Sequence, residues 1–294
     1  MNTEATPMTP LTPQELEHKF SQLLLQTRPM PDPDDNVLLE FAEGGRVAII
    51  SFNRPDAFHA ITNKMAARLG EIIKQVSLQS QVRCVIVTGT GNNFGGVTDL
   101  SERGSFTAEE RRQQRLGFDQ VSYAIRNMKK PIFAAVHGYS GSGAMELAIG
   151  MDFIIAADNA TFNLPDAMVG IANASGGSVF LPRVLSPGKA MEMMMTGELI
   201  TAQEAHRLGM VNHVVPKAQL MSLALEIARK IAHNSPTAIE AQKQAMKYGY
   251  GQPTEMAIQL SQMTNARAAV HPDYAEGIQA FLERREARFK DSDQ

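Results

Sequence analysis

Ile132-Phe-Ala-Ala-Val136, followed at once by Gly138-Tyr-Ser-Gly-Ser-Gly-Ala-Met-Glu-Leu147, is the stretch that decides the fold. Five apolar residues in a row read as a strand buried on both faces. The small residues after it read as a loop, and Ala144 onward as the opening of a helix with a carboxylate near its start. A helix start leaves main-chain N–H groups without intrahelical acceptors at the positive end of the helix dipole, here beside Glu146. Such a site can hold a developing oxyanion and move a proton next to it. The same strand–glycine–helix pattern also serves as a plain structural turn, so the reading depends on the flanking segments.

Two further segments have the same character. In Val85-Ile-Val-Thr-Gly-Thr-Gly-Asn-Asn-Phe-Gly-Gly-Val-Thr-Asp-Leu100 a buried strand empties into a glycine-rich loop, with Phe94 as an anchor and Asp99 placed to cap the next segment. Gly95 and Gly96 permit backbone angles that free neighbouring N–H groups. If this loop lies beside Gly143, the N–H groups of Thr98 and Gly143 converge on one oxygen; otherwise the loop is a packing turn. Walker and dinucleotide fingerprints are absent. In Thr161-Phe-Asn-Leu-Pro-Asp-Ala-Met-Val-Gly-Ile171, Asp166 follows a proline on a loop leaving a strand. It is either a turn residue or a second carboxylate facing a cleft.

Composition narrows the function classes. A formal net charge of −3 supplies no basic surplus to neutralise phosphates, which argues against a nucleic-acid partner. The single cysteine, Cys84, sits in an apolar run and reads as an inert core thiol, and the seven histidines show no ligand spacing, so no metal site is expected. No apolar run approaches the roughly 20 residues that span a bilayer, and no apolar signal core opens the chain. No membrane partner and a cytoplasmic location are therefore expected.

Residues 1–35 hold six of the fifteen prolines and read as a flexible N-terminal arm, with a short helix around Pro13–Gln26. From Val37 short apolar runs (Val37–Phe41, Val47–Asn53, Val82–Gly89, Ile132–His137, Phe153–Ala157) alternate with helical patterns at Thr62–Gln79 and Ala108–Asn127. That alternation implies an α/β core with a parallel sheet. Beyond about Leu181 strand signals thin out, and helices are expected at Pro187–Thr196, Thr201–Leu208, Gln219–Asn234, Pro236–Tyr248, Glu255–Ala269 and Pro272–Phe289. The boundaries drawn are 36–215 for the core and 216–294 for a helical C-terminal region.

Together these segments resemble the crotonase (enoyl-CoA hydratase/isomerase) superfamily. The resemblance extends to Phe52-Asn-Arg-Pro-Asp-Ala57, Leu181-Pro-Arg-Val184, Met195-Thr-Gly-Glu-Leu-Ile-Thr-Ala-Gln-Glu-Ala205, Gly209-Met-Val-Asn-His-Val-Val-Pro216 and Phe281-Leu-Glu-Arg-Arg285. It implies a spiral of ββα turns with a helical C-terminal oligomerisation region, assembled as a homotrimer or homohexamer. The implied substrate is an acyl-CoA thioester passing through an enolate, with coenzyme A entering as part of the substrate and no separate cofactor. By resemblance Thr98 and Gly143 supply the oxyanion-hole N–H donors, Glu146 is the first catalytic carboxylate, and Asp166 stands where hydratases have a second glutamate. Ala57, His59, Ala60, Asp99, Leu100 and Asn173 fall in substrate- and CoA-bordering segments. Phe281 and Arg284 match C-terminal helix positions that contact CoA, often from a neighbouring subunit.

The chain departs from the pattern at four places. Val97 stands where a glycine is common, and Thr98 brings a hydroxyl to the oxyanion position. Asp166 is one methylene shorter than glutamate, a retreat of about 1.5 Å. Asn173-Ala174 replaces the usual Pro-Gly turn, adding an amide that can reach substrate or Asp166. His59 replaces the usual Asn, as an entrance residue or a buried structural one. The helix start favours a Glu146 anion while an apolar pocket favours its acid, a balance the sequence leaves open. The expected activity is hydration of a 2-enoyl-CoA, with Glu146 and Asp166 as the acid/base pair. The alternative is another crotonase reaction: isomerisation, decarboxylation or C–C hydrolysis.

Overall fold

Parallel strands with helices on both sides must bury both faces, and here side-chain alternation does so residue by residue. A computed structural model describes residues 30–173 and 175–291, with Thr12, Gln14, Glu15 and His18. The expected helix over Pro13–Gln26 therefore lies largely outside the described residues. The strands are β1 (Val37–Ala42), β2 (Val47–Phe52), β3 (Cys84–Gly89), β4 (Ile132–Val136), β5 (Tyr139–Gly141), β6 (Ile154–Ala157), β7 (Thr161–Asn163), β8 (Ile200–Thr201) and β9 (His213–Val215). Six form one sheet in the order β1-β2-β3-β4-β6-β9, antiparallel only between β1 and β2. Along β3, β4 and β6, Val85, Val87, Ile132, Ala134, Ile154 and Ala156 face one apolar cluster. Their neighbours Cys84, Ile86, Phe133, Ala135, Ile155 and Ala157 face a second.

Helices cover both clusters. The first receives α1 (Asn63–Leu78), whose stripe of Met65, Leu69, Ile72, Ile73 and Val76 is buried and whose start is capped by the Thr62 hydroxyl accepting from the Met65 N–H at 3.0 Å. The short α2 (Leu100–Gly104) and the long α3 (Ala108–Arg126) follow, then α4 (Ser142–Ile149), buried along its whole length. After α5 (Gly177–Val184), α6 (Pro187–Thr196) and α7 (Ala202–Arg207), α8 (Leu220–His233) packs Leu220, Ala224, Ala228 and Ala232 on the second cluster. The chain ends with α9 (Pro236–Gly249), α10 (Thr254–Ala269) and α11 (Pro272–Glu283).

The remaining strands form a second layer. β5 pairs parallel with β7, and β7 antiparallel with β8. Isolated bridges extend this layer from Gly95 to Ser140 and from Ile61 to Thr98. Each spiral turn therefore contributes one strand to the large sheet and a short one to this layer: β3 then 95–98, β4 then β5, β6 then β7. Such a stack is the ββα spiral.

Elements longer than five residues for which limits were expected fall within two residues of them, except the last helix; α5 (Gly177–Val184) was not expected. α11 stops at Glu283, because Arg284 adopts a left-handed conformation (φ 55°) whose N–H returns to the Ala280 and Phe281 carbonyls. The expectation of an all-helical C-terminal third is corrected by β8 and β9. With two and three residues they are too short to show alternation, and β9 gains its strand character from pairing with β6.

Turn geometry fixes how closely the layers stack. Gly138 (φ +57°) would place a Cβ 1.9 Å from the Asn92 carbonyl oxygen, whereas Gly44 (φ +66°) has nothing within 4 Å of one. Gly44→Ala is expected to cost about 1–2 kcal/mol from left-handed strain alone. Gly138→Ala, with strain plus collision, should cost about 4 kcal/mol or more. Denaturant unfolding of the two variants measures the difference; equal costs would mean that close stacking is not enforced at Gly138.

Candidate active site

The three loops singled out by the sequence meet. Gly95 accepts from the Gly141 N–H (3.0 Å) and donates to the Tyr139 carbonyl (3.1 Å), and the Ala144 N–H reaches the Gly96 carbonyl at 3.3 Å. Ile61 donates to Val97 (3.0 Å) and accepts from the Asp99 N–H (3.0 Å). In a parallel bridge this pattern turns the intervening Thr98 N–H to the opposite edge, where α4 begins. Among the described residues neither the Thr98 nor the Gly143 N–H donates a hydrogen bond to the main chain outside regular elements. Gly143 is close-packed: a Cβ there would sit 3.0 Å from the Phe118 ring. Just before it, Ser142 holds a left-handed φ of 45°.

Glu146 projects from α4 into a cleft of about 50 Å³ that Thr98, Ser142, Asp166 and Ser175 also line. It is 4% exposed. Its Oε1 accepts from the N–H groups of Gly177 (2.8 Å) and Ser175 (3.1 Å), and Oε2 has no such bond among the described residues. Burial pushes the carboxyl up to about 7 from its ordinary 4.5; the Gly177 and Ser175 N–H groups pull the other way, and the charges of Asp166 and Asp119 add to the rise. The balance left open by the sequence thus falls toward the acid form. Ser175 spends every polar group on this loop: its hydroxyl donates to Asp119 (3.0 Å), and its carbonyl accepts from Ser122 (2.7 Å) and Arg126 (2.8 Å).

Asp166 is held differently. Its Oδ1 accepts from the Ser142 hydroxyl at 2.6 Å and its Oδ2 from the Asn173 amide at 2.7 Å. The extra amide of Asn173 reaches the carboxylate.

Other expected residues have structural roles. The His59 ring is fully buried, with Nδ1 accepting from the Arg54 N–H (2.8 Å) and Nε2 donating to the Thr90 carbonyl (3.0 Å); burial lowers its pKa to about 4. Of the two readings the sequence left open at His59, the structure shows the buried structural one: a neutral ring closes the turn. Asp99 caps the segment that follows it, as its place in the sequence led us to expect. Its Oδ1 caps α2 through Ser101 and Glu102, and its Oδ2 meets Arg54 at 3.1 Å. Leu100 packs against Val97 and Tyr139. Ala57 and Ala60 have buried side chains, and the Ala60 carbonyl accepts from Arg54. Phe281 (82% exposed) and Arg284 lie on α11 and its cap, with no contact to the cleft in this single chain. Cys84 is a buried core thiol, its pKa pushed up to about 12.

The sequence reading missed part of the cleft lining: Arg103 from α2 with Gln114, Arg115 and Phe118 from α3. One signal was available, since buried Gln114 lies on the same helical stripe as Val121 and Ile125. A polar residue on an apolar stripe marks a face turned toward something other than core.

A ββα spiral that sets two unspent amides beside a buried carboxyl is built for a carbonyl compound acquiring negative charge. Comparison with known proteins agrees: the enoyl-CoA hydratase/isomerase family profile matches residues 42–292. The chain is 37% identical over 257 residues to carnitinyl-CoA dehydratase of Escherichia coli, covering 86% of this chain and 98% of that one. It is 33% identical over 252 residues to short-chain-enoyl-CoA hydratase of Clostridium acetobutylicum (85% and 96%). The crystal structure of enoyl-CoA hydratase from Bacillus anthracis superposes with a TM-score of 0.85 at 32% identity, covering 88% of this chain and all of that one. The chain belongs to the enoyl-CoA hydratase/isomerase family and is a crotonase-fold enzyme.

The raised Glu146 pKa has a consequence for stability. Between pH about 4.5 and 7 the folded state binds more protons than the unfolded one, so stability is lost as pH rises through 7. The loss approaches about 3 kcal/mol at 1.36 kcal/mol per unit. Glu146→Gln removes it, and should raise the melting temperature at pH 8 by several degrees while changing it little at pH 5. Melting curves running parallel across this range would rule out a raised carboxyl.

Proposed function

We propose that this enzyme adds water reversibly across the double bond of a 2-enoyl-CoA thioester, with Glu146 as the proton carrier. The observation that carries the reading is the contrast between the two carboxylates: Glu146 keeps one oxygen free and a pKa near 7, while both Asp166 oxygens accept hydrogen bonds. Fixed amides aimed at a thioester oxygen stabilise the charge that grows as Cα becomes an enolate, and losing one such donor costs roughly 3–4 kcal/mol of barrier. Thr98 and Gly143 are assigned that role. A water lies between the carboxylates and is oriented by Asp166, since each carboxylate oxygen has a lone pair left after its first bond. The Glu146 carboxylate takes a proton from this water as the oxygen attacks Cβ. It then delivers that proton to Cα as the enolate collapses, so HO and H are added and the enzyme returns to its starting form.

A second reading has a specific observation behind it. With Asp166 pinned by Ser142 and Asn173, one free carboxylate suffices for isomerisation, where Glu146 removes a proton from Cα of a 3-enoyl-CoA and returns it at Cγ. The partner surfaces obey the same logic: Met263 (66% exposed), Val270 (85%) and Phe281 (82%) lie on α10 and α11 or between them, which supports a homotrimer or homohexamer formed through these helices.

Crotonyl-CoA and 3-butenoyl-CoA, followed by absorbance and product analysis, separate the two reactions. Hydration requires ionised Glu146, so kcat/KM should rise with pH and level off above about 7. Glu146→Gln should lower kcat by about 10²–10⁴ and abolish that limb. Turnover of neither substrate, or Glu146→Gln matching the parent, would overturn the proposal.

A further inference from the structure

A site for a plain hydrocarbon chain is walled by apolar and aromatic side chains. The cleft that Glu146 and Asp166 line departs from that composition, since Arg103, Gln114 and Arg115 line it together with Phe118. Gln114 is engaged, its amide donating to Glu102 at 3.2 Å. Arg115 leans toward Asp119 at 3.8 Å, beyond hydrogen-bond range, with its side chain 66% exposed. Arg103 is half-buried and has no side-chain hydrogen bond or ion pair among the described residues. Of the acidic groups nearby, Asp166 is held by Ser142 and Asn173, Asp119 accepts from Ser175, and Glu102 accepts from the Asn63 N–H. Glu146 is part protonated near neutrality. None of these carboxylates forms an ion pair or hydrogen bond with the Arg103 guanidinium among the described residues, so its N–H donors are open to a ligand.

We propose that Arg103, assisted by Arg115, recognises an anionic group on the acyl chain, so that the substrate is a short 2-enoyl-CoA carrying a distal carboxylate. This rests on the hydratase reading and names its substrate class. A guanidinium takes a carboxylate through two parallel N–H···O bonds, and partial desolvation in a cleft strengthens both. The small cleft, about 50 Å³, keeps the distal group within a few bonds of the thioester. Repulsion from the same two arginines disfavours a quaternary ammonium at that end.

Three 2-enoyl-CoA esters of matched backbone test the assignment: crotonyl-CoA (neutral), glutaconyl-CoA (terminal carboxylate) and crotonobetainyl-CoA (terminal trimethylammonium). The expected order of kcat/KM is anionic, neutral, cationic, with the carboxylate ester at least tenfold above crotonyl-CoA. Arg103→Met should bring that ratio to near one, and Arg103→Lys should restore part of it, with melting temperatures confirming folded protein. Calorimetry on Glu146→Gln, with and without Arg103→Met, reads the same preference as a ratio of Kd values without turnover. Failure of all three esters to react would therefore sink the hydratase reading while still testing Arg103. A preference for the neutral or cationic ester overturns the proposal. So does an equal weakening of all three esters and of free coenzyme A in Arg103→Met, which would place the guanidinium on the nucleotide.

Discussion

Two main-chain amides left without partners among the described residues are the constraint on which the rest of this structure depends. In the second layer of the spiral, Gly95 spends its hydrogen bonds on Tyr139 and Gly141, and Ile61 spends its own on Val97 and Asp99. Strand alternation then turns Thr98 away from Ile61. Gly143 has no preceding turn of helix to accept its N–H, because α4 starts at Ser142. Leaving buried donors unpaired costs free energy, and the surroundings hold them in place regardless. Gly95 admits no Cβ, since one would lie 2.7 Å from Ala144. Tyr139 is tied beneath by its hydroxyl donating to Asn163 at 2.8 Å. A donor pair kept open at that cost is what the proposed oxyanion role needs, a site set before the charge appears.

Four acidic residues around the site show how position, rather than residue type, decides a carboxylate's work. Asp99 is consumed by a helix start and by Arg54, and so stitches the 57–60 segment to the 95–99 loop. Asp119 fixes Ser175, which in turn fixes one oxygen of Glu146. Asp166 pins Ser142, the residue whose left-handed backbone sets the direction of the next amide. Only Glu146 combines burial, a free oxygen and a raised pKa, and only that combination moves a proton near neutral pH.

The long strands and helices were legible because the periods of 2 and 3.6 persist over five or more residues. β5, β8 and β9 were not, because two or three residues carry no period and pairing alone makes them strands. The loops bearing Thr98, Gly143, Glu146 and Asp166 stood out by composition, since glycine after an apolar run is visible without a structure. His59 shows the opposite case. A polar residue in a binding segment looks the same in sequence whether its side chain faces a ligand or, as here, the backbone of its own turn. The wall of Arg103, Gln114 and Arg115 was hidden for a further reason. Helical periodicity gives α3 a buried stripe but does not say whether core or cleft lies opposite it.

The two departures near the second carboxylate are physically one change. Shortening glutamate to Asp166 withdraws its oxygens by about 1.5 Å toward their own loop. Left alone, that retreat would leave a charged group facing a gap it cannot fill. Asn173, standing where a proline would have offered no side-chain donor, extends its amide to Oδ2 at 2.7 Å, while Ser142 holds Oδ1. The carboxylate is thereby held in one orientation against α4. Restoring the longer side chain without removing the amide would push its oxygens into Asn173. Removing the amide without restoring the length would free Asp166 to turn from Ser142 and loosen the amide beside it. The pair at 166 and 173 thus exchanges a longer second acid for a short one held at both oxygens.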